Sequence, residues 1–202
     1  MAYIGMRHPV WAPISSHTDG SPITYGTGMV VGYGVGADLT IQTSDNKDYG
    51  DDMVVASDAG VNGLSLSFET NDLAKAVRVA LLGYVADNGS GSTVVQYRVT
   101  GADSPKGGFG YIRIKEAAGS GTVSYEAFWI HKIKFQPSSE PARTKQQDKE
   151  YQHLTLTGTA ESAKIYSEGS DWYYWMEFTT ETAAAAWLDG LANVPQPPAT
   201  TT

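Results

Sequence analysis

Leu64-Ser65-Leu66-Ser67-Phe68-Glu69-Thr70-Asn71-Asp72-Leu73-Ala74-Lys75-Ala76-Val77-Arg78-Val79-Ala80-Leu81-Leu82-Gly83 changes its period midway. Over residues 64–69, Leu64, Leu66 and Phe68 alternate with Ser65, Ser67 and Glu69, the signature of a strand with one face buried. From Asn71 the apolar spacing becomes four: Leu73, Val77 and Leu81 stack on one side, and Lys75 and Arg78 take the other. Asn71 is a suitable N-cap, Asp72 suits the positive end of the helix dipole, and Gly83 suits the left-handed position beyond the last turn. The spacing predicts a helix over about residues 71–83 with Leu73, Val77 and Leu81 as its core face, lying on a sheet.

Working outward, residues 37–42 repeat the strand pattern. Leu39 and Ile41 alternate with Asp38, Thr40 and Gln42. Residues 43–60 carry Asp45, Asp48, Asp51, Asp52 and Asp58 with only Met53-Val54-Val55 apolar, and read as a long acidic loop. Loops of that length are uncommon unless functional. Residues 6–14 contain Pro9 and Pro13, which confine them to an edge strand or an extended arm; residues 20–36 are glycine-rich and read as loop. Downstream, residues 93–99, 109–116 and 122–135 read as strands, with a hairpin loop over 117–121. Residues 136–149 form a polar break, 151–160 a strand, and 164–166 with 171–178 a final strand pair. Residues 182–191 suit a short alanine-rich helix. Many strands, one long helix and no βαβ alternation indicate a mainly β fold, an antiparallel sandwich or barrel with one flanking helix. One domain is expected over residues 1–190, with a Pro/Thr-rich tail over 191–202.

Composition limits the chemistry. The chain has 202 residues, no cysteine and a formal net charge of -8. Disulfides, thiolate metal sites and a cysteine nucleophile are excluded within it. The negative charge disfavours tight nucleic-acid binding, because phosphates are repelled. The opening residues lack the basic-then-apolar pattern of a signal peptide, and no stretch approaches the ~20 apolar residues of a membrane span.

Motifs with catalytic potential fail on context. Gly32-Tyr33-Gly34-Val35-Gly36-Ala37 partly matches a dinucleotide fingerprint but leads into a strand, whereas the pyrophosphate needs a helix N-terminus. In the acidic run, Lys47 and Tyr49 occupy two positions where a calcium loop needs oxygen ligands, and Ala56 stands in place of its glutamate. His8, His17, His131 and His153 share no metal-ligand spacing, although His131 and His153 lie in predicted strands that could meet across a sheet. Asn88-Gly89-Ser90 is a formal glycosylation sequon and reads more simply as a turn. Trp172-Tyr173-Tyr174-Trp175 reads as a core strand with one wet aromatic face, or as a sugar-stacking platform. Asp103 and Glu126 are scattered carboxylates with little to support a hydrolase. No catalytic residue, cofactor or metal is expected.

The order of several landmarks is familiar. They are Gly5-Met6-Arg7-His8-Pro9-Val10-Trp11-Ala12-Pro13, the strand at 37–42 and the acidic run Ser44-Asp45-Asn46-Lys47-Asp48-Tyr49-Gly50-Asp51-Asp52. Leu81-Leu82-Gly83-Tyr84 and Phe109-Gly110-Tyr111-Ile112 follow. The most specific is Trp129-Ile130-His131-Lys132-Ile133-Lys134-Phe135-Gln136-Pro137, with Arg143-Thr144-Lys145-Gln146 and Leu156-Thr157-Gly158-Thr159-Ala160 after it. In this the chain resembles, over residues 2–178, the major tail proteins of long-tailed bacteriophages, in particular the phi-thirteen type of tail tube protein. The aromatic run at 172–175 and the sequence after Trp187 depart from the pattern.

That resemblance implies a β sandwich with a flanking helix and no catalysis. It implies a virion protein, made in the bacterial host cytoplasm, whose hexameric rings stack into the tube that conducts DNA to the host. Its partners would be copies of itself and the tape measure, terminator and distal tail proteins, with DNA only in transit and no membrane. Asp45, Asn46, Lys47, Asp48, Tyr49, Asp51 and Asp52 would then bridge one ring to the next. A lumen that lets DNA slide should be acidic or neutral, which selects Asp38, Thr40, Gln42, Ser65, Ser67 and Glu69 as the candidate wall. The rival wall, with Arg113, Lys115, Lys132 and Lys134, would be basic and adhesive. A carbohydrate-binding or adhesin module is the alternative from a different class, resting on the aromatic run.

Overall fold

The computed structural model describes residues 2–50, 53–87, 96–99, 103–119, 121–139, 152–165 and 171–195. Residues 45–50, 53–59, 87 and 137–139 are described through their backbone alone. The chain is mainly β, and its strands pair antiparallel throughout. The elements in order are β1 (Ala2–Ser16), β2 (Thr24–Tyr25), β3 (Met29–Val30), β4 (Gly34–Gly50), β5 (Met53–Thr70), α1 (Lys75–Leu82), β6 (Val85–Asp87), β7 (Gln96–Arg98), β8 (Lys106–Glu116), β9 (Val123–Ser139), β10 (Leu154–Ala160), β11 (Tyr173–Phe178) and α2 (Glu181–Ala192).

The large sheet runs β2-β1-β8-β9-β10-β5-β4, with β3 on β1 and β11 on β9; β6 and β7 form a separate two-stranded sheet. The large sheet closes on itself as a sandwich. Phe68 of β5 and Phe109 of β8 are three strands apart in the sheet order, yet their rings meet edge-on at 5.2 Å. Phe135 joins them at 5.0 Å from Phe109. The enclosed core gathers Trp11, Leu64, Leu66, Phe68, Ile130 and Ile133, with Leu73, Val77, Leu81 and Leu82 contributed by α1 and the residues leading into it. A second apolar layer lies on the opposite face of β1, β8 and β9, where Val10, Ala12, Ile112, Ala127 and Trp129 meet Ala184, Leu188 and Ala192 of α2.

The alternation over residues 64–69 survives intact: Leu64, Leu66 and Phe68 are buried. The helix start moves. α1 begins at Lys75 after an extended Ala74 (ψ 145°) that has no side-chain cap. Thr70 Oγ1 lies 2.9 Å from the carbonyl oxygens of both Tyr33 and Asp72, to either of which its one proton can be donated, and Asp72 Oδ1 accepts from Leu73 N–H, so these groups serve the turn rather than the helix. Gly83 closes α1 in the left-handed conformation (φ 70°), its N–H donating to the Val79 carbonyl.

The acidic stretch is where the sequence reading fails. Residues 43–50 and 53–60 are strand rather than loop: β4 and β5 stay paired from Gly34↔Thr70 to Gly50↔Met53. β10 accompanies β5 only over residues 64–70, so residues 53–63 of β5 pair with β4 alone. The pair forms a two-stranded ribbon reaching roughly 35 Å beyond the sandwich at ~3.4 Å per residue. Apolar and polar residues do not alternate along residues 43–50 and 53–63, so these strands resemble loop in sequence.

Other boundaries shift for local reasons. β9 continues through Ser139 despite Pro137, because the register slips between Thr155 and Leu156 and accommodates the missing N–H. Residues 6–14 form the middle of β1, paired with β8 along one side and covered by β2 and β3 on parts of the other. Pro9 sits at the register shift between Arg7 and Val10, beside His8 at φ 51°, and its carbonyl accepts from Val31 N–H at 2.8 Å. β11 pairs with β9; of its expected partner, Lys164 and Ile165 lie in no strand and Tyr166 lies outside the described residues, while Ala163 and Asp171 form an isolated bridge. Leu191 and Ala192, expected in the tail, complete α2, which Asn193 caps at φ 50°. Residues 196–202 lie outside the described residues.

Candidate assembly surfaces

Register assembles one polar surface from five strands. Thr40 pairs with Ser65, Ser65 with Thr159, Thr159 with Lys134 and Lys134 with Lys106. The next row runs Asp38, Ser67, Thr157, Gln136. A third joins Glu69 to Thr155. Directly paired residues project on the same side, so these rows form one continuous face opposite the enclosed core. Asp38, Thr40, Gln42 and Ser67 are exposed, whereas Ser65 and Glu69 are half-buried.

Thr155, Thr157 and Thr159 were not among the candidates for this surface. Their alternation with Leu154 and Leu156 is legible in sequence, but that β10 lies beside β5 is not. Lys132 and Lys134 are also brought into it, although the sequence reading sets them on a rival wall. Neither lysine is bare. Lys134 Nζ meets Asp103 Oδ1 at 2.7 Å, and Lys132 Nζ meets Glu161 Oε2 at 2.9 Å. Lys106 reaches the same Glu161 at 2.6 Å. The hydrogen bond from Lys106 holds the Glu161 carboxyl below the usual range, burial opposes this, and Lys132 adds to the lowering. Lys134 likewise lowers Asp103. At the far end, His153 Nδ1 lies 2.8 Å from Glu69 Oε1. Asp38, Glu69, Asp103 and Glu161 against Lys106, Lys132 and Lys134 leave these seven groups at a formal net charge of −1.

Arg113 and Lys115 belong to the other side of the sheet and are spent on Glu126. Arg113 Nη2 lies 2.8 Å and Lys115 Nζ 3.0 Å from its carboxylate, which is 3% exposed. Burial pushes Glu126 up, but the hydrogen bonds from Arg113 and Lys115 outweigh it and hold the carboxyl below its ordinary range. The Arg113 guanidinium also stacks over Tyr3 at 3.8 Å and Phe128 at 4.5 Å. Asp103 and Glu126 are thus each held by their own cations.

The aromatic run is a half-exposed edge strand rather than core. Tyr173 and Trp175 stack on Phe128 at 6.2 and 6.3 Å, and Tyr174 leans on His131 at 4.7 Å and edge-on against Trp187 at 5.5 Å. His131 is buried and His153 pairs with Glu69, so the two do not meet. Among the described residues, no group of three His, Cys, Asp or Glu side chains could hold a metal ion, and no helix is long and apolar enough to cross a membrane.

Of the inter-ring candidates, Asp45, Asn46, Lys47, Asp48 and Tyr49 lie on β4 in the projecting ribbon, whereas Asp51 and Asp52 lie outside the described residues. Leu73, Val77 and Leu81 are buried in the enclosed core.

No curated protein matches the chain. The family model of the phage tail tube protein matches residues 37–186. This interval begins at the first polar row and ends within α2, and so contains the ribbon, α1, both faces of the sandwich and β11. With three quarters of its length matched, the chain belongs to the phage tail tube protein family, structural proteins of the phage tail.

Proposed function

We propose that this chain forms hexameric rings that stack into the tail tube, the conduit through which DNA is ejected into the host. Its landmark residues resemble those of the phi-thirteen type of tail tube protein. The observation that carries the reading is the pairing of a wide, nearly neutral polar sheet face with a ribbon that leaves the sandwich. A surface of Thr, Ser and internally paired Lys releases few counterions on meeting DNA, so it holds a duplex weakly. A solitary two-stranded ribbon is marginal in water and gains by docking on another surface. The face suits the lumen, and the ribbon suits a ring-to-ring contact.

Strand edges supply the contacts within a ring. β4 ends the large sheet and β11 is its aromatic side strand, and unpaired edges are ready templates for another chain. The tape measure, terminator and distal tail proteins would cap and measure the tube, which is assembled from protein made in the host cytoplasm. Electron microscopy of the purified chain at high concentration tests this: rings or tubes are expected. A strictly monomeric protein at every salt concentration, with affinity for glycans, contradicts it and favours the adhesin reading.

A further inference from the structure

A cleft of about 400 Å³ opens between the C-terminal end of α2, β2 and the strands β9 and β11, on the side of the sheet that α2 covers. Trp129 and Tyr25 meet edge-on inside it at 5.2 Å. Trp129 Nε1 donates to Tyr25 Oη, which in turn donates to the His131 carbonyl at 2.8 Å, so both rings are fixed. Tyr174, paired with Trp129 across β11 and β9, leans on the His131 ring at 4.7 Å and is 37% exposed. Asn193 Nδ2 donates to the Tyr25 carbonyl at 2.9 Å, which leaves Asn193 Oδ1 to accept from a ligand. Among the described residues that line the cleft, none is Asp, Glu, Lys or Arg. Burial keeps the His131 imidazole uncharged at neutral pH.

We propose that this cleft binds a neutral saccharide. A pyranose ring has apolar C–H faces and a rim of uncharged hydroxyls, so it needs aromatic or aliphatic surface beside neutral hydrogen-bonding groups. The cleft offers both: Tyr174, Ile23 and Leu191 for the faces, and Asn193 with the Thr24 hydroxyl for the rim. Other ligand classes fit less well. A purely apolar ligand would cover Asn193 Oδ1 without replacing its hydrogen bond to water. A nucleotide or an acidic sugar brings negative charge to a chain whose formal net charge is -8, with no cation among the described residues that line the cleft. The inference goes beyond tube assembly and does not depend on it. In a tube whose lumen is the polar face, α2 and the cleft lie away from the DNA path, within reach of glycans outside.

Saturation-transfer difference NMR on the full chain tests this, with maltotriose, lactose and N,N′-diacetylchitobiose as neutral probes and trigalacturonate as the acidic control. A neutral probe should receive saturation, strongest at its ring C–H protons, and trigalacturonate should receive none. No signal from any neutral probe, or an equal signal from trigalacturonate, overturns the proposal. Variants locate the site, with circular dichroism checking that each one folds. Tyr174→Ala should weaken the bound probe by about tenfold, the loss of one aromatic contact. Trp175→Ala, equally aromatic but projecting to the other side of β11, should leave affinity unchanged. Asn193→Gly keeps the left-handed backbone that ends α2 (φ 50°) while removing the amide, and should weaken binding severalfold with helix content intact. Binding undiminished in Asn193→Gly or in a folded Tyr174→Ala, or lost in Trp175→Ala, overturns the assignment to this cleft. Tubes that bind no saccharide bring down this inference alone, and a saccharide-binding chain that never forms tubes brings down the tube reading alone.

Discussion

The two halves of the large sheet treat their outward faces in opposite ways. On β1 and on one end of β8 and β9 the outward positions Val10, Ala12, Ile112, Ala127 and Trp129 are apolar, and α2 lies on them through Ala184, Leu188 and Ala192, whereas Lys106, Lys132, Lys134 and Gln136 at the other end of β8 and β9 join the polar face. On β10, β5 and β4 they are Thr, Ser, Asp and Glu, and among the described residues no helix covers them. Both halves share the enclosed core, so the contrast lies entirely in alternate residues of strands with the same period. Where those residues cannot be left in water the fold supplies its own cover, and where they can, the surface stays available for water, DNA or another copy.

If that contrast is real, substitutions should separate sharply by face. The largest effect is expected under the helices. Leu188→Ala and Leu81→Ala each empty a fully buried site and should cost ~2–5 kcal/mol in denaturant unfolding. Lys75→Ala, on the exposed side of α1, should cost little. Equal losses from all three would mean that the buried face is misassigned.

Acid should weaken the α2 side next. Burial depresses the His131 pKa to about 4 from 6.5, against a smaller opposing pull from Asp171. The folded state disfavours the proton that the unfolded chain accepts. Stability is therefore complete above about 6.5 and falls as pH drops from there toward 4, by up to about 3 kcal/mol. Melting curves across that window should flatten in His131→Phe. An unchanged slope would remove His131 from the account.

Gly110 sharpens the comparison at one position. A Cβ there would meet Leu188 Cδ2 at 2.6 Å and the Phe128 carbonyl oxygen at 2.8 Å. Gly110→Ala should cost ~1–3 kcal/mol through overpacking. A neutral result would show that α2 sits more loosely than described. The smallest effect belongs to the bare face, where Thr157→Ala should shift stability by no more than ~0.5 kcal/mol. A large loss would mean that the polar rows hold the fold together rather than wait for a partner.

How much of this was legible follows from what each strand buries. Leu64, Leu66 and Phe68 announce their strand because water is excluded from one side of it. Gly83 announces the end of α1 because few other residues adopt its backbone conformation without strain. Asp45 and Asp48 announce nothing, since the sequence around them carries no period-two alternation. The polar face was half legible: parity groups Asp38 with Thr40, and Ser65 with Ser67, but only strand order brings Thr157, Thr159 and Lys134 beside them. Nor does any local pattern say that Lys134 meets Asp103, or that both Lys106 and Lys132 meet Glu161. Those contacts turn an apparently basic hairpin into part of a nearly neutral surface.

The account stands most directly on which face meets the DNA path. A cryo-electron microscopy reconstruction of the assembled tube decides it. The predicted wall carries Asp38, Thr40, Ser65, Ser67, Glu69, Thr155, Thr157 and Thr159, with α2 away from the lumen. A lumen lined by α2, or by Arg113 and Lys115, with Asp38 and Glu69 on the outside, would contradict it.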